Sequence, residues 1–474
     1  MVLAASYGAH ARSGGTPTKT TKGMAPPVHT LRQLQARFRA IPNKRRHAMV
    51  LTIALCVFST ALVLYISAHR GAGLSVSLHE SSKSPTDGRR HLQLEFTWKG
   101  FGWAPRTHAL SQERAAAYAF CVVTDQDKAS RKKETPSKSL PKRWVAYFRR
   151  GVLEFRGSRF GLTTKNGSDA LDERRTRGLH IRIRWIDPEP GVELWSRINE
   201  DGRGMELSEL LFFDNRLLSP DDRTGVIYEI VSYSAGADEL RRLTGTAPSR
   251  PAAAPFVAPR MVLPDGDGNT AKGFKGEWMV VKDGEMVVGG HGKEFTSPYN
   301  GTDIQNYNPM WVKVVDSSGG ITHVDWKDIY NKLRHEVGAD FPGYLIHEAV
   351  LWSALRREWV FLPRRFSTEP YREDLNERKG WNRALIVDED FTEIRTVEIQ
   401  LPEIPERGFS SAKFVPGSDD SLVLAIRTTE NEGISEVSSY MSVVSILTGA
   451  VVMPETIVGD VKYEGLEFFP LEPS

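Results

Sequence analysis

The sequence predicts an all-β domain, a five-bladed β-propeller, behind one N-terminal membrane-spanning helix. Three observations carry this reading. Short alternating apolar runs bounded by Gly, Asp, Asn or Pro dominate the chain from about residue 92 onward. An acid or hydroxyl recurs ahead of or within an apolar run at Ser208, Glu277, Glu348, Ser410 and Glu464, in steps of 69, 71, 62 and 54 residues. Such a period points to one supersecondary unit used repeatedly. Residues 48–68 contain no charged side chain, and 21 such residues suffice to cross a bilayer core.

The N-terminal segments follow from charge. Residues 1–47 carry nine Lys or Arg and no Asp or Glu. Positive flanks stay cytoplasmic, so the tail is expected in the cytosol and everything beyond about residue 69 in the lumen, a type II signal anchor. A cleaved signal peptide fits less well, because some 47 residues precede the apolar stretch. The first 30 residues are rich in Gly, Ser, Thr and Pro and are expected to be disordered. Residues 69–92 are expected to form a polar stem and residues 93–474 the propeller. The tail holds nine of the chain's 62 Lys and Arg and none of its 59 Asp and Glu, so the remainder is net acidic. That balance argues against a nucleic-acid binder. Only two cysteines occur, Cys56 in the span and Cys121 beyond it, so no intrachain disulfide can staple the lumenal domain. Asn166 and Asn300 head Asn-x-Ser/Thr triplets, the expected glycosylation sites of a lumenal glycoprotein.

Strands are expected at 94–97, 118–123, 145–148, 152–155, 181–185, 210–213 and 226–231, and helices at 326–335 and 237–243. Residues 128–143 hold seven Lys or Arg and read as a solvated loop, and residues 244–262, rich in Pro and Ala, as a flexible excursion. The chain stops ten residues after Glu464. That is too short to complete a blade, so strands from the start of the domain are expected to finish its sheet. A pair of β-sandwiches is the structural alternative.

Oxygen ligands from several repeats converge only if the repeats close into a ring. Three carboxylates (Glu277, Glu348, Glu464) with Ser208 and Ser410 suit a hard cation on the axis, Ca2+ rather than Zn2+, since neither a cysteine cluster nor a paired-histidine motif is present. His347 beside Glu348 reads as structural. Asp265-Gly-Asp-Gly-Asn269 imitates the start of an EF-hand loop, but Thr270 and Gly276 stand where Gly and a bidentate Glu are needed, so it reads as a turn. A cationic, Gly-rich set comprises Arg203, Arg223, Lys293, Arg364 and Arg365. Taken singly each is a turn with a solvated charge; around an axial cation they would make a phosphate site. Asp125 and Asp127 share a strand face and could orient or deprotonate a water.

In order, Gly202-Arg-Gly-Met-Glu206-Leu-Ser208, Asp221-Asp-Arg-Thr-Gly225, Gly273-Phe-Lys-Gly-Glu-Trp278, Pro342-Gly-Tyr-Leu-Ile-His-Glu348, Phe361-Leu-Pro-Arg-Arg365, Gly408-Phe-Ser-Ser411 and Lys462-Tyr-Glu-Gly465 resemble the soluble calcium-activated nucleotidase, or apyrase, family. The resemblance runs from about Ala117 to Phe468. It implies a five-bladed propeller with central Ca2+ and hydrolysis of nucleoside di- and triphosphates, often with UDP and GDP favoured. Its calcium positions fall on Ser208, Glu209, Glu277, Glu348, Ser410 and Glu464, and its nucleotide-binding acid on Asp127. Glu209 stands where the family usually has Asp, and Phe295 and Met310 where Trp and Glu are expected. The expected substrate contacts are Asp125, Glu206, Lys293, Arg364 and Arg365, with Asp127, Arg203 and Arg223 catalytic. The expected protein is a membrane-anchored nucleoside diphosphatase of the Golgi or endoplasmic reticulum, with release by stem cleavage and a homodimer left open. A non-catalytic Ca2+-stabilised propeller and a type II glycosyltransferase, whose Asp-x-Asp motif Asp125-Gln-Asp127 mimics, are the alternatives.

Overall fold

The computed structural model describes residues 74–80, 92–98, 116–132, 142–156, 180–233, 254–431 and 436–470. The expected tail, membrane span, Asn166 and the 237–243 helix lie outside them. Among the described residues no helix is long and apolar enough to cross a membrane. The chain divides into two units, Met1–Trp103 and Ala104–Ser474. In the first, Leu74–Glu80 pairs antiparallel with Leu92–Trp98. The strand expected at 94–97 is present, but its partner comes from the expected stem.

The second unit is a five-bladed propeller of antiparallel sheets. Blade 1 comprises Leu211–Phe213, Arg216–Pro220, Val226–Val231 and Phe256–Val262; blade 2, Trp278–Lys282, Glu285–Gly289, Trp311–Val315 and Ile321–Asp325. Blade 3 comprises Tyr344–Ser353, Glu358–Ser367, Arg383–Asp388 and Ile394–Glu398; blade 4, Arg407–Phe414, Leu422–Asn431, Glu436–Ser445 and Val451–Gly459. Blade 5 joins the chain's two ends: Tyr463–Phe468 pairs with Ala116–Thr124, which pairs with Trp144–Arg156. His180–Trp185 and Val192–Ser196 then pair with different parts of Trp144–Arg156. The closure expected from the short C-terminal remainder is therefore present. The first strand of each sheet touches the first strand of the next, and the fifth returns to the first, so these five strands line the axis.

Burial explains the ring. Five apolar clusters each span one pair of neighbouring blades. Leu211, Leu218 and Ile227 meet Met279, Met286 and Val288 between blades 1 and 2, and Trp278, Trp326 and Val312 meet Leu345, Trp359 and Phe361 between blades 2 and 3. The other three join blades 3 and 4, 4 and 5, and 5 and 1. No blade can bury its faces alone, so the repeats are stable only when the ring closes.

Two expectations change and a third holds. The two strands expected at 145–148 and 152–155 are one strand, Trp144–Arg156. The gap between them, Arg149-Arg150-Gly151, continues the strand. There Arg149 donates to the carbonyls of Asp187 and Val458, Arg150 is clamped by the Asp187 carboxylate, and Gly151 lets Phe120 lie where a Cβ would stand 2.6 Å from the ring. Part of the expected 244–262 excursion is the outer strand of blade 1, Phe256–Val262. Its Pro259 sits at a register slip on an edge, where its missing N–H costs least. The helix expected at 326–335 is Lys327–Glu336, with Tyr330 and Leu333 facing the core.

Candidate metal and substrate site

Register slips in three of the five axial strands fall on the residues the spacing singled out. The pairing of Tyr344–Ser353 slips around His347 and Glu348, that of Arg407–Phe414 at Ser410, and that of Tyr463–Phe468 at Glu464. A bulge breaks the in–out alternation and re-aims a side chain. Ser208 and Glu277 lie just ahead of their axial strands, tied by backbone N–H groups to Pro220 and Gly289 carbonyls. The two serines play one role twice. Ser208 Oγ donates to the Gly276 carbonyl and Ser410 Oγ to that of Tyr463, in each case the residue before the glutamate of the next blade. Their hydroxyl oxygens keep acceptor capacity for a further partner.

Carboxylates and cations converge here. Arg364 spans three acids, at 2.6 Å from Glu348, 2.9 Å from Glu430 and 3.4 Å from Glu464. Lys462 Nζ lies 3.0 Å from Asp125, 3.2 Å from Asp127, 3.6 Å from Glu430 and 3.0 Å from Glu464. Arg203 bridges Asp127, at 3.0 Å, and Glu206. Lys275 bridges Glu277, at 2.7 Å, and Asp222. Oxygens of Asp125, Glu206 and Asp222 lie within 4.8 Å of one another. Eight acids thus gather around four cations. The Asp222 Oδ1 atom is buried with no hydrogen-bond partner among the described residues.

Burial dominates the titration of this cluster. It raises Glu206 and Glu277 to about 7 and pushes Asp125 and Glu464 well above the usual carboxylate range, with neighbouring acids adding to it. Burial also opposes charge on Asp127, but Lys462, Lys275 and Arg203 outweigh it and hold that carboxyl below its ordinary value. Burial likewise opposes charge on Lys275 and Lys462, yet the surrounding acids raise both well above the ordinary lysine value. An excess of desolvated carboxylate, all of it hard oxygen, with one orphaned oxygen, fits a hard divalent cation.

The cluster brings together Asp125, Asp127, Arg203, Glu206, Glu277, Glu348, Arg364 and Glu464 from the expected set. Four others have described partners elsewhere. Arg223 faces Glu200 and Asp201, at 3.7 and 3.8 Å. Lys293 donates to the Glu294 carbonyl and lies over the Tyr371 ring; burial lowers it to about 8. Arg365 donates to the Glu406 carbonyl, though its charge still acts on Glu348 and Glu430 of the cluster. Glu209 is fully buried against Ser411, Leu466 and Lys413. Asp222, Lys275, Glu430 and Lys462 were missed. Two of them carried a signal: Lys275-Gly-Glu277 and Lys462-Tyr-Glu464 place a lysine two residues before the axial glutamate.

Neighbouring expectations resolve simply. His347 is wedged between Tyr330 and Phe361, and burial lowers it to about 3, a structural role. Asp265–Asn269 is a turn, closed by the Gly268 N–H on the Asp265 carbonyl. Met310 is fully buried with Trp278 and Trp326, so an apolar residue there belongs to the core. Phe295 is half exposed on the hairpin of Phe295–Ser297 with Asn300–Asn306.

Residues 127–469 match the family model described as Apyrase. The chain belongs to the apyrase family. The match starts at Asp127 and runs through every blade. The curated relatives agree. The chain is 36% identical over 406 residues, 84% of itself and 87% of the relative, to soluble calcium-activated nucleotidase 1 of Rattus norvegicus. It is 37% identical to apyrase apy-1 of Caenorhabditis elegans, over 75% of this chain and 85% of that one. It is 34% identical to the apyrase of Cimex lectularius, over 77% and 86%. Apyrase-family membership makes the chain an enzyme, a nucleotide phosphoanhydride hydrolase. The antiparallel ring and the family match also argue against the glycosyltransferase alternative, whose Asp-x-Asp motif usually sits in an α/β domain.

Proposed function

We propose that this apyrase-family enzyme hydrolyses nucleoside diphosphates, UDP and GDP foremost, and also triphosphates, to the monophosphate and phosphate in a Ca2+-dependent reaction. Its place is the lumen of the Golgi or endoplasmic reticulum, held by a span at residues 48–68. The convergence of eight acids and four cations at the axis carries the catalytic reading. The oxygen-only acid triad Asp125, Glu206 and Asp222 in the same cluster and the name of the Rattus norvegicus relative support calcium. The nine positive charges ahead of residue 48 support the topology.

Glu277, Glu348 and Glu464, with Ser208 and Ser410, would hold Ca2+, which when bound supplies Lewis-acid polarisation of phosphoryl oxygens. Asp127, partly exposed and kept ionised by its cations, orients the attacking water and takes its proton. Arg203 and Lys462, already fixed by buried acids, neutralise charge growing on the phosphate oxygens. Arg364 holds Glu348 and Glu464 apart at a set spacing.

A phosphate-release panel of UDP, GDP, ADP and the triphosphates, with Ca2+, Mg2+ or chelator, tests the chemistry. UDP and GDP hydrolysis that vanishes in chelator and returns with Ca2+ is expected. Equal rates in chelator would overturn the calcium reading. Glycan trimming at Asn300 in microsomes tests the topology, and a protease-accessible C-terminus in sealed microsomes would contradict it.

A further inference from the structure

We infer that His291 is a further nucleotide-binding residue, which presents an imidazole N–H to the monophosphate half of the substrate where blades 2 and 3 meet at the rim of the axial cluster. This deepens the nucleotidase reading above and rests on it. His291 belongs to the Gly-rich stretch Gly289-Gly-His-Gly-Lys-Glu294. On one side that stretch runs past the axial glutamate of blade 2, with the Glu277 N–H donating to the Gly289 carbonyl at 2.8 Å. On the other, the N–H of His347, the residue before the axial glutamate of blade 3, donates to the His291 carbonyl at 3.0 Å. His291 is thus held between the two segments that carry Glu277 and Glu348.

Its neighbours fix it further. Trp278 Nε1 donates to the Gly290 carbonyl at 3.0 Å, and the Gly292 N–H to the Pro309 carbonyl at 3.2 Å. Gly292 has φ +76°, and a Cβ there would lie 2.5 Å from Tyr330, so the turn after His291 requires glycine. Within Gly289–Glu294 only His291 is partly exposed, and the other five residues are buried. The Lys293 N–H donates to His291 Nδ1 at 3.4 Å, so Nδ1 is the acceptor and Nε2 carries the hydrogen. Burial, with the charges of Lys293 and Lys275 nearby, keeps the ring neutral. Lys275 belongs to the axial cluster, and Lys293 lies outside it over the Tyr371 ring. A partly exposed N–H donor beside two lysines suits an anion, and it adds a hydrogen bond without adding a charge. Arg203, Lys462 and Asp127 meet the transferred phosphate. The anion left for His291 is the phosphate that stays with the nucleoside.

UMP, titrated by calorimetry into the full chain in Ca2+, tests the contact beside steady-state UDP hydrolysis. His291→Leu is expected to weaken UMP binding about tenfold, the scale of a lost hydrogen bond to a charged group. It should raise KM for UDP alike, while kcat stays within about twofold, as for an interaction made equally in the ground and transition states. His291→Gln keeps an acceptor and an N–H donor and should recover most of both. Melting temperature and Ca2+ affinity should match the wild type in both variants. A residue that only braces the loop gives another pattern: UMP affinity falls together with melting temperature, and Gln rescues neither. That pattern overturns the contact. If the wild type itself binds no UMP and releases no phosphate from UDP, the nucleotidase reading fails and the contact with it. If the wild type does both and His291→Leu does them equally well, the contact alone fails.

Discussion

Two polar clusters share the axis of this propeller and differ in how many charges they gather. Around Glu209, Oε1 accepts from two N–H groups and a hydroxyl, Oε2 lies 3.3 Å from Lys413 but has no hydrogen-bond partner among the described residues, and two buried acids, Glu209 and Glu467, face the one lysine. Around Glu464, eight acids meet four cations, several carboxyls are driven up by burial, and Asp222 Oδ1 has no hydrogen-bond partner among the described residues. A fold tolerates a half-satisfied buried network only where something else completes it. Each cluster leaves one carboxylate oxygen unpartnered, but the second carries the larger excess of acid and reads as the binding site; the two begin one residue apart at Ser208 and Glu209.

The sharpest way to break this contrast is to remove one member of each cluster. Glu348→Gln should cost Ca2+ affinity on the order of 100-fold, because affinity follows ligand charge. In chelator its melting temperature should hold or rise, since a surplus negative charge is gone. Ser411→Ala should do the reverse: a lower melting temperature in chelator, from a lost buried hydrogen bond of about 1 kcal/mol, with a smaller change in Ca2+ affinity. Calorimetry and thermal scans of both variants would show whether the contrast survives.

Next in size is a split between metal and chemistry. Asp127→Asn should lower kcat about 100-fold or more, the scale of a lost general base, while Ca2+ binding stays close to wild type. A loss of both together would place Asp127 among the metal donors.

Smaller again is the difference between two arginines. Arg203 lies inside the cluster and Arg223 faces Glu200 and Asp201. Arg203→Lys should cost activity about tenfold, since an ammonium cannot reproduce the guanidinium fork, and Arg223→Lys clearly less. Equal losses in steady-state assays would return Arg223 to the catalytic role its motif implies.

The mildest effect is on pH. Glu206 and Glu277 are raised to about 7 from 4.5, so their protonated forms favour the metal-free fold. That contribution is fully present below their unfolded value and is lost as pH rises through 7. The melting temperature in chelator should fall between about pH 5 and 7, and the gain from added Ca2+ should grow. A chelated melting temperature that climbs over this range would contradict the assignment.

The ring itself was legible in the sequence because its repeat is local. Each axial strand starts in the same polar-then-apolar way, and the expected closure of the last sheet by the first strands of the domain is seen in the pairing of Tyr463–Phe468 with Ala116–Thr124. The cation half of the site was less legible. Glu430 lies on the second strand of blade 4, and only pairing brings it to Arg364 and Lys462. Asp222 stood in a quoted motif, but its role depends on Lys275 from the next blade. Arg223 shows the converse, a charge in a conspicuous motif that turns to Glu200 instead. Sequence spacing locates what each blade repeats, whereas partners across blades emerge only from the closed ring.

The most direct test of the axial site couples binding to turnover in one titration. Ca2+ is added to the chelated wild-type protein and to Glu277→Gln while UDP hydrolysis and bound Ca2+ are followed together. Activity in the wild type should rise in step with occupancy of one tight site, and Glu277→Gln should need far more Ca2+ for both. Activity that appears before the site fills, or a Glu277→Gln curve lying on that of the wild type, would contradict a catalytic calcium on this axis.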